Sequence, residues 1–280
     1  MHKALKRYSP IFVLPTLLAF IIGFIVPFAQ GLYLSFCKFT TVDNAKWVGF
    51  ANYNVILKDA SFLNSFKFTI LFAVVSIILI NVIAFGLALL LTKELRGTNI
   101  FRTVFFMPNL IGGIVLGYIW QIILNGVLAH WGRTLTYFSK YGFWGLVILM
   151  CWQQIGYMMI IYVAGIQNIP GDLIEAAKID GATPSQILKN VTIPMVMPSI
   201  TICSFLTLTN SFKLFDQNLA LTAGEPANSS ELLALNIFNT FYGRNGWEGV
   251  GQAKAVVFFV IVAVIAITQN KITRSREVQQ

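Results

Sequence analysis

Charge is scarce in this chain. Of its 280 residues only 11% are charged, against about a quarter in an ordinary soluble protein. So few charges cannot clothe a water-soluble globule, and that class is excluded. Histidine is nearly missing: His2 and His130 are far apart and build no site together. Cys37, Cys151 and Cys203 are scattered, without metal-ligand spacing or the density of a disulfide framework. No glycine directly precedes a lysine, so the Gly-x-x-x-x-Gly-Lys-Ser/Thr loop that cradles a nucleotide is absent. The apolar stretches offer no histidine, paired carboxylates or metal set, and an integral-membrane enzyme has nothing to work with.

What is present is apolar length. Apolar residues make up 56% of the chain, and charge is missing from Ser9 to Phe36, Phe68 to Thr92, Thr103 to Leu124 and Gly142 to Ile166. A membrane crossing needs about 20 apolar residues at ~1.5 Å rise each. With a fifth run from Met195 and a sixth from Gly249, six helices are expected, at about 9–36, 68–92, 103–124, 142–166, 195–222 and 249–270. The expected class is an all-α integral membrane protein, folded as a single transmembrane domain over 1–280. The first run is too long for a signal-peptide core and has no cleavage site, so it reads as an uncleaved helix. The net charge is +9, yet the basic residues sit at the edges of the runs, where they set orientation rather than bind nucleic acid. Lys3, Lys6, Arg7, Lys93, Arg96, Arg102, Lys178, Lys189, Lys271, Arg274 and Arg276 form the denser group. That side is expected to be cytoplasmic, with both termini inside.

One inner connection, 167–194, is long and strongly patterned. Asp172 and Glu175 read as a capping box that starts a short helix. Gly181 can take the left-handed conformation that ends it. Thr183, Pro184 and Gln186 read as the cap, first residue and reciprocal partner of a second helix, running to about Asn190. Pro194 and Pro198 then open the fifth span. Leu173, Ile174, Ile179, Ile187 and Leu188 give this projection an apolar side that can enter a partner's groove.

The loop resembles the signature of permease subunits of binding-protein-dependent ABC importers. That pattern is Glu-Ala-Ala, three residues, Gly, nine residues, Ile, any residue, Leu-Pro. Here it reads Glu175-Ala176-Ala177, Gly181, Val191, Ile193, Pro194; the spacing holds and two positions change conservatively. Trp47 to Tyr53, Met107-Pro108 with Trp120, and Phe215-Asp216 through Leu221 to Pro226 are similar to the carbohydrate branch, with Glu225 replacing a glycine. The resemblance implies the type I permease fold with cytoplasmic coupling helices. It also implies alternating access, with Glu175, Ala176, Ala177, Gly181 and Pro194 coupling the chain to an ATPase. The implied partners are a second related permease forming a heterodimer, two ATPase subunits that carry ATP and Mg, an outer sugar-binding protein, and a sugar. No cofactor is expected in this chain. The implied place is the bacterial cytoplasmic (inner) membrane, among lipid.

Polar groups inside a bilayer are costly and need a reason. Gln153, Gln154 and Tyr157 lie in the fourth run, and Thr207, Asn210, Ser211 and Leu214 in the fifth. The latter four fall at i, i+3, i+4 and i+7, on one helix face. Gln154 and Asn210 each lie roughly 18 Å from a helix end, so both sit near midplane and can meet. Carried over from the maltose-type relatives it resembles, the same seven residues are sugar contacts. Interhelical hydrogen bonding is the competing reading. Gly113 and Gly117 form a small-xxx-small pattern read as helix packing.

Lys213 and Asp216 are an opposite-charge pair within the fifth predicted span, at i and i+3. Either Lys213 reaches the outer surface and Asp216 neutralises it, or both line the upper cavity. A glycerol phosphate ester is the alternative cargo; it would want an arginine in the pathway, and none lies inside a predicted span.

Overall fold

The computed structural model describes residues 13–93 and 97–275. The start of the first helix before Val13, both chain ends, and Lys3, Lys6, Arg7, Arg96 and Arg276 lie outside the described residues. Two compact units are distinguished, Met1–Ala60 with Ile237–Val260, and Ser61–Asn236 with Ile261–Gln280.

Helices dominate, as the apolar runs require. Helix α1 (Val13–Leu34) is 22 residues without a charge, with a wide turn at Ile21–Ile25 ahead of Pro27. A hairpin of two short strands follows, β1 (Cys37–Lys38) and β2 (Lys46–Trp47), then the short helix α2 (Ala51–Lys58). The second span, α3 (Ala60–Leu91), starts eight residues before the expected Phe68. Exposed Lys67 did not end it, because a lysine at a membrane edge can extend to water.

The third expected span is not one helix. It comprises α4 (Thr98–Phe106), a tight turn at Met107–Leu110 and α5 (Gly113–Ala129), bent by 102°. Pro108 removes a backbone donor, and Gly112 adopts extended backbone before α5; together they stop the helix. The fourth span, α6 (Ser139–Gln167), agrees with 142–166. The fifth is also broken. Helix α8 (Pro184–Met195) meets α9 (Met197–Phe212) at 68°, where Val196 leaves helical geometry between Pro194 and Pro198. Beyond Phe212 the chain turns and restarts as α10 (Asp216–Leu221), then α11 (Leu233–Gly243). Asp216 stands in the first turn of α10, where a carboxylate suits the positive helix end. The sixth span, α12 (Glu248–Arg274), runs beyond both expected ends. Among the described residues, four helices are long and apolar enough to cross a membrane, or up to six when each bent pair counts as one span.

Within Ser61–Asn236, α6 is the axis. Leu146, Leu149, Met150, Met158, Met159 and Tyr162 are almost wholly buried along it. Gly156 lets α4 cross directly against it: a Cβ there would lie 1.8 Å from the Phe105 carbonyl oxygen, which no flexible side chain could relieve. The Gly113/Gly117 expectation holds in the same way. A Cβ on Gly117 would meet the Ala220 methyl at 2.5 Å, and one on Gly113 would meet Asp216 Cβ at 2.8 Å. These glycines seat α10 against α5.

Within Met1–Ala60 and Ile237–Val260, a charged pair is buried. Lys254 Nζ lies 2.7 Å from Asp59 Oδ2 and donates to Thr240 Oγ1 at 2.8 Å. Lys254 is 0% exposed. Lys254 lies near the start of the last span, and a carboxylate distant in sequence holds it inside.

Candidate functional site

The predicted site residues fall in two places: the loop at 167–194, and α6, α9 and α10, where amides are paired.

The loop folds into α7 (Gly171–Ile179) and α8. Gly181 joins them with φ +78°, the left-handed conformation expected of it. Gly181 N donates to Lys178 O and Ala182 N to Ala177 O, which closes the end of α7. The second box is present: Thr183 N donates to Gln186 Oε1 at 2.7 Å, and Gln186 N to Thr183 Oγ1 at 3.4 Å. The first box is not. Pro170 is the cap residue of α7 and no side chain caps it; the helix starts two residues too early for Asp172 to be its cap. Asp172 stands in the first turn, where its charge still suits the helix end. Helix α8 also continues through Pro194 rather than ending near Asn190. Glu175 and Ala176 are exposed, Ala177 and Pro194 half-buried. Of the five apolar residues expected to face a partner, Leu173 and Ile179 are exposed, Ile179 by 86%. Ile174 turns inward against the core, and Ile187 and Leu188 are half-buried.

In the belt of paired amides, adjacent glutamines on α6 bond two different elements. Asn210 Nδ2 of α9 donates to Gln154 Oε1 at 3.2 Å. Gln217 Nε2 of α10 donates to Gln153 Oε1 at 3.0 Å. Gln153 Nε2 in turn donates to the Ile111 carbonyl at the break between α4 and α5, at 3.4 Å. Two amide pairs therefore form on adjacent residues of the axial helix, one with α9 and one with α10. Each amide offers both donors and acceptors, so the belt can exchange its internal bonds for bonds to a ligand. Tyr157, one turn below, packs its ring 6.3 Å from Phe106.

The other predicted residues do not join this belt. Thr207 and Ser211 are 0% exposed, and each hydroxyl donates to its own helix, to Cys203 O and Thr207 O, both at 2.7 Å. Thr207 Oγ1 also accepts from Asn81, whose amide oxygen accepts from Tyr162. Leu214 is 4% exposed and follows the end of α9. The shared helix face expected to carry Thr207, Asn210, Ser211 and Leu214 as contacts is thus corrected: the helix ends at Phe212, and Thr207, Ser211 and Leu214 are packed inside while Asn210 is half-buried. Lys213 and Asp216 also part company. The helix ends between them, and they form no ion pair; both side chains are exposed.

Sequence reasoning missed Gln217, Asn81 and Tyr162. Asn81 carried a usable signal, an amide inside an otherwise apolar run. An apolar groove of 390 Å³ lined by Ile83, Leu87, Val104, Phe105, Trp152 and Gly156 lies in the same unit. Its walls offer hydroxyl groups almost nothing to bond.

Comparisons with known proteins now have a geometry to attach to. The family described as binding-protein-dependent transport system inner membrane component matches residues 84–277. The chain is 46% identical to a protein of Thermoanaerobacterium thermosulfurigenes named a probable starch degradation products transport system permease, covering 96% of this chain and 94% of that one. It is 31% identical to an sn-glycerol-3-phosphate transport system permease of Agrobacterium fabrum, covering 94% of each. Among solved structures, a bacterial ABC transporter involved in the import of alginate superposes with a TM-score of 0.82 at 20% identity, covering 98% of each chain. That likeness gives the fold, an ABC importer permease. Broken spans, a glycine-jointed loop and a multi-pass apolar body agree with it, and the chain belongs to the family of inner membrane components of binding-protein-dependent transport systems.

Proposed function

We propose that this chain forms one half of the pathway of an ATP-driven importer for a neutral oligosaccharide. The observation that carries this reading is the belt of Gln153, Gln154, Asn210 and Gln217, a set of uncharged donors and acceptors without a cation among its bonds. Sugar hydroxyls need such groups; a phosphate ester needs arginine or lysine. The closer likeness to a permease named for starch degradation products than to those named for glycerol phosphate supports the same cargo. Tyr157 adds an aromatic face. Lys213 and Asp216, exposed near α10 and not paired, reach hydroxyls arriving from outside. Thr207, Ser211 and Leu214 hold α9 in place behind Asn210.

The test follows from the belt. Gln154→Leu with Asn210→Leu removes one matched amide pair without leaving a buried partner unsatisfied, so the fold stands. Sugar-stimulated ATP hydrolysis in the assembled transporter is expected to fall about tenfold, the loss of roughly 1.4 kcal/mol of ligand contact, while basal hydrolysis is kept. Unchanged stimulation would remove the belt from the pathway.

The coupling loop transmits the motion. Glu175, Ala176, Ala177, Gly181 and Ile179 dock on a separate ATPase, which holds the nucleotide and Mg. When its dimer closes, the two-helix lever carries α9 and rocks the belt between the two membrane faces. The complete assembly pairs this chain with a second, related permease, two ATPase subunits and an outer sugar-binding protein. Span α1 supports the pairing, since none of its most apolar window is buried in this chain.

In this assembly both termini and the coupling loop face the cytoplasm, as the basic density of the inner segments indicates. Cysteine at exposed Thr136 should be labelled by an impermeant reagent in whole cells, and cysteine at exposed Ser185 only after lysis. The reverse pattern would invert the topology.

A further inference from the structure

The segment that follows α1 exposes large apolar side chains on an ordered backbone. It presents Trp47 at 60% exposure, Phe50 at 69% and Leu57 at 73%. This is not loose chain. Val48 N donates to Phe36 O, Asn52 Nδ2 donates to the carbonyls of Ser35 and Cys37, and Ser35 Oγ and Tyr53 OH share a hydrogen bond of 2.7 Å. Phe36 stacks on Trp47 with ring centroids 5.2 Å apart, and its edge meets Phe50. In α2, Asn52 and Ile56 are buried, which turns Phe50 and Leu57 outward. The side chains are held, yet their apolar faces are uncovered.

A second observation concerns charge. In the β1–β2 register Lys38 stands directly opposite Lys46, and both are exposed. Like charges facing each other across a strand pair are destabilising. Asp43 in the connecting turn is the acidic residue of this hairpin, and Lys58 ends α2. The register therefore puts both lysines on one face of the hairpin, where an anion between them would relieve the repulsion. Cys37 and Trp47 occupy the other position of the pairing, so the aromatic and the lysines belong to opposite faces of the hairpin.

Depth follows from α1. Its 22 residues span about 33 Å at ~1.5 Å each, enough for a hydrocarbon core of ~30 Å. Tyr33 and the hairpin then stand at the membrane–water boundary. Aromatic rings, with lysines directed towards headgroups, are what that boundary stabilises.

We infer that β1, β2 and α2 form an interfacial foot that seats Trp47, Phe50 and Leu57 among lipid chains and holds the phosphate of an anionic lipid between Lys38 and Lys46. The inference is independent of which side of the membrane the foot occupies and of the cargo carried. It is tested on the assembled transporter in bilayer discs of phosphatidylcholine, with and without phosphatidylglycerol. Spin labels go on Phe50→Cys and Leu57→Cys, with Ser229→Cys as an exposed loop reference and the parent protein as the background for its own cysteines. At Phe50 and Leu57, collisions with oxygen relative to a water-soluble nickel chelate should exceed those at Ser229 several-fold. Phosphatidylglycerol should raise the thermal midpoint of the parent, and Lys38→Gln with Lys46→Gln should lose most of that rise. Nickel access at both labels equal to that at Ser229 would overturn the foot. So would shielding that appears only when the sugar-binding protein is added, since the surface would then be a protein-docking site. A phosphatidylglycerol effect unchanged in the double variant would overturn the phosphate site.

Discussion

Gly181→Val should leave the transporter assembled in the membrane and lower coupled sugar uptake by about tenfold. The residue holds φ +78°, and a β-branched side chain in that region clashes with the following carbonyl. Nothing lies within 4 Å of a Cβ built there, so no packing is disturbed; the penalty of ~1–2 kcal/mol is confined to the turn. That is enough to shift the angle between α7 and α8 in most molecules, since 1.4 kcal/mol is roughly a factor of ten. The lever then presents Glu175, Ala176 and Ile179 wrongly to its partner. Gly181→Asn is the control: asparagine visits the left-handed region at little cost, so uptake should remain near that of the parent. Uptake and ATP hydrolysis measured side by side decide it. Hydrolysis that continues while uptake fails supports coupling through this loop, and full uptake by Gly181→Val contradicts it.

Lys254→Met should be the most destabilising single change in Met1–Ala60 and Ile237–Val260. The side chain is 0% exposed, and its ammonium lies 2.7 Å from the Asp59 carboxylate. Removing one partner of a buried pair strands the other charge, at about 3–5 kcal/mol. Replacing both with apolar groups is often neutral or stabilising, so Lys254→Met with Asp59→Leu should recover most of the lost stability. Thermal unfolding of the purified complex separates the cases. A single variant as stable as the parent would show that the pair contributes nothing, and a double variant worse than the single would make the charges themselves the requirement.

These two residues mark what the sequence could and could not reveal. The turn at Gly181 was legible because its signals are local: Glu-Ala-Ala before it, Thr183 and Gln186 after it, all within one loop. Asp172 misled because Pro170, two residues earlier, already fixes where the helix begins. The six apolar runs were legible as runs, since charge counting measures length. It is blind to backbone breaks, so the bend at Met107–Gly112 and the restart at Asp216 went unseen although Pro108 and Pro194 were in view. The burial of Lys254 could not be read because its partner, Asp59, is remote in sequence. Gly156 needed knowledge of the helix that crosses it. The β1–β2 hairpin has two residues per strand, too short for any alternation to register. In the belt, Gln154 and Asn210 met as spacing and depth suggested. Gln217 was missed because the fifth span was drawn as one straight helix, which gives no hint that α10 folds back against α5.

The central claim is that this chain is half of a coupled pathway for a neutral oligosaccharide. The most direct measurement is uptake into proteoliposomes containing this chain, its second permease, the ATPase and the binding protein, with ATP supplied on the ATPase side. Radiolabelled maltooligosaccharide and glycerol 3-phosphate are offered separately. ATP-dependent accumulation of the oligosaccharide, lost in Gln154→Leu with Asn210→Leu, is the predicted result. Accumulation of glycerol 3-phosphate with no oligosaccharide uptake would contradict it.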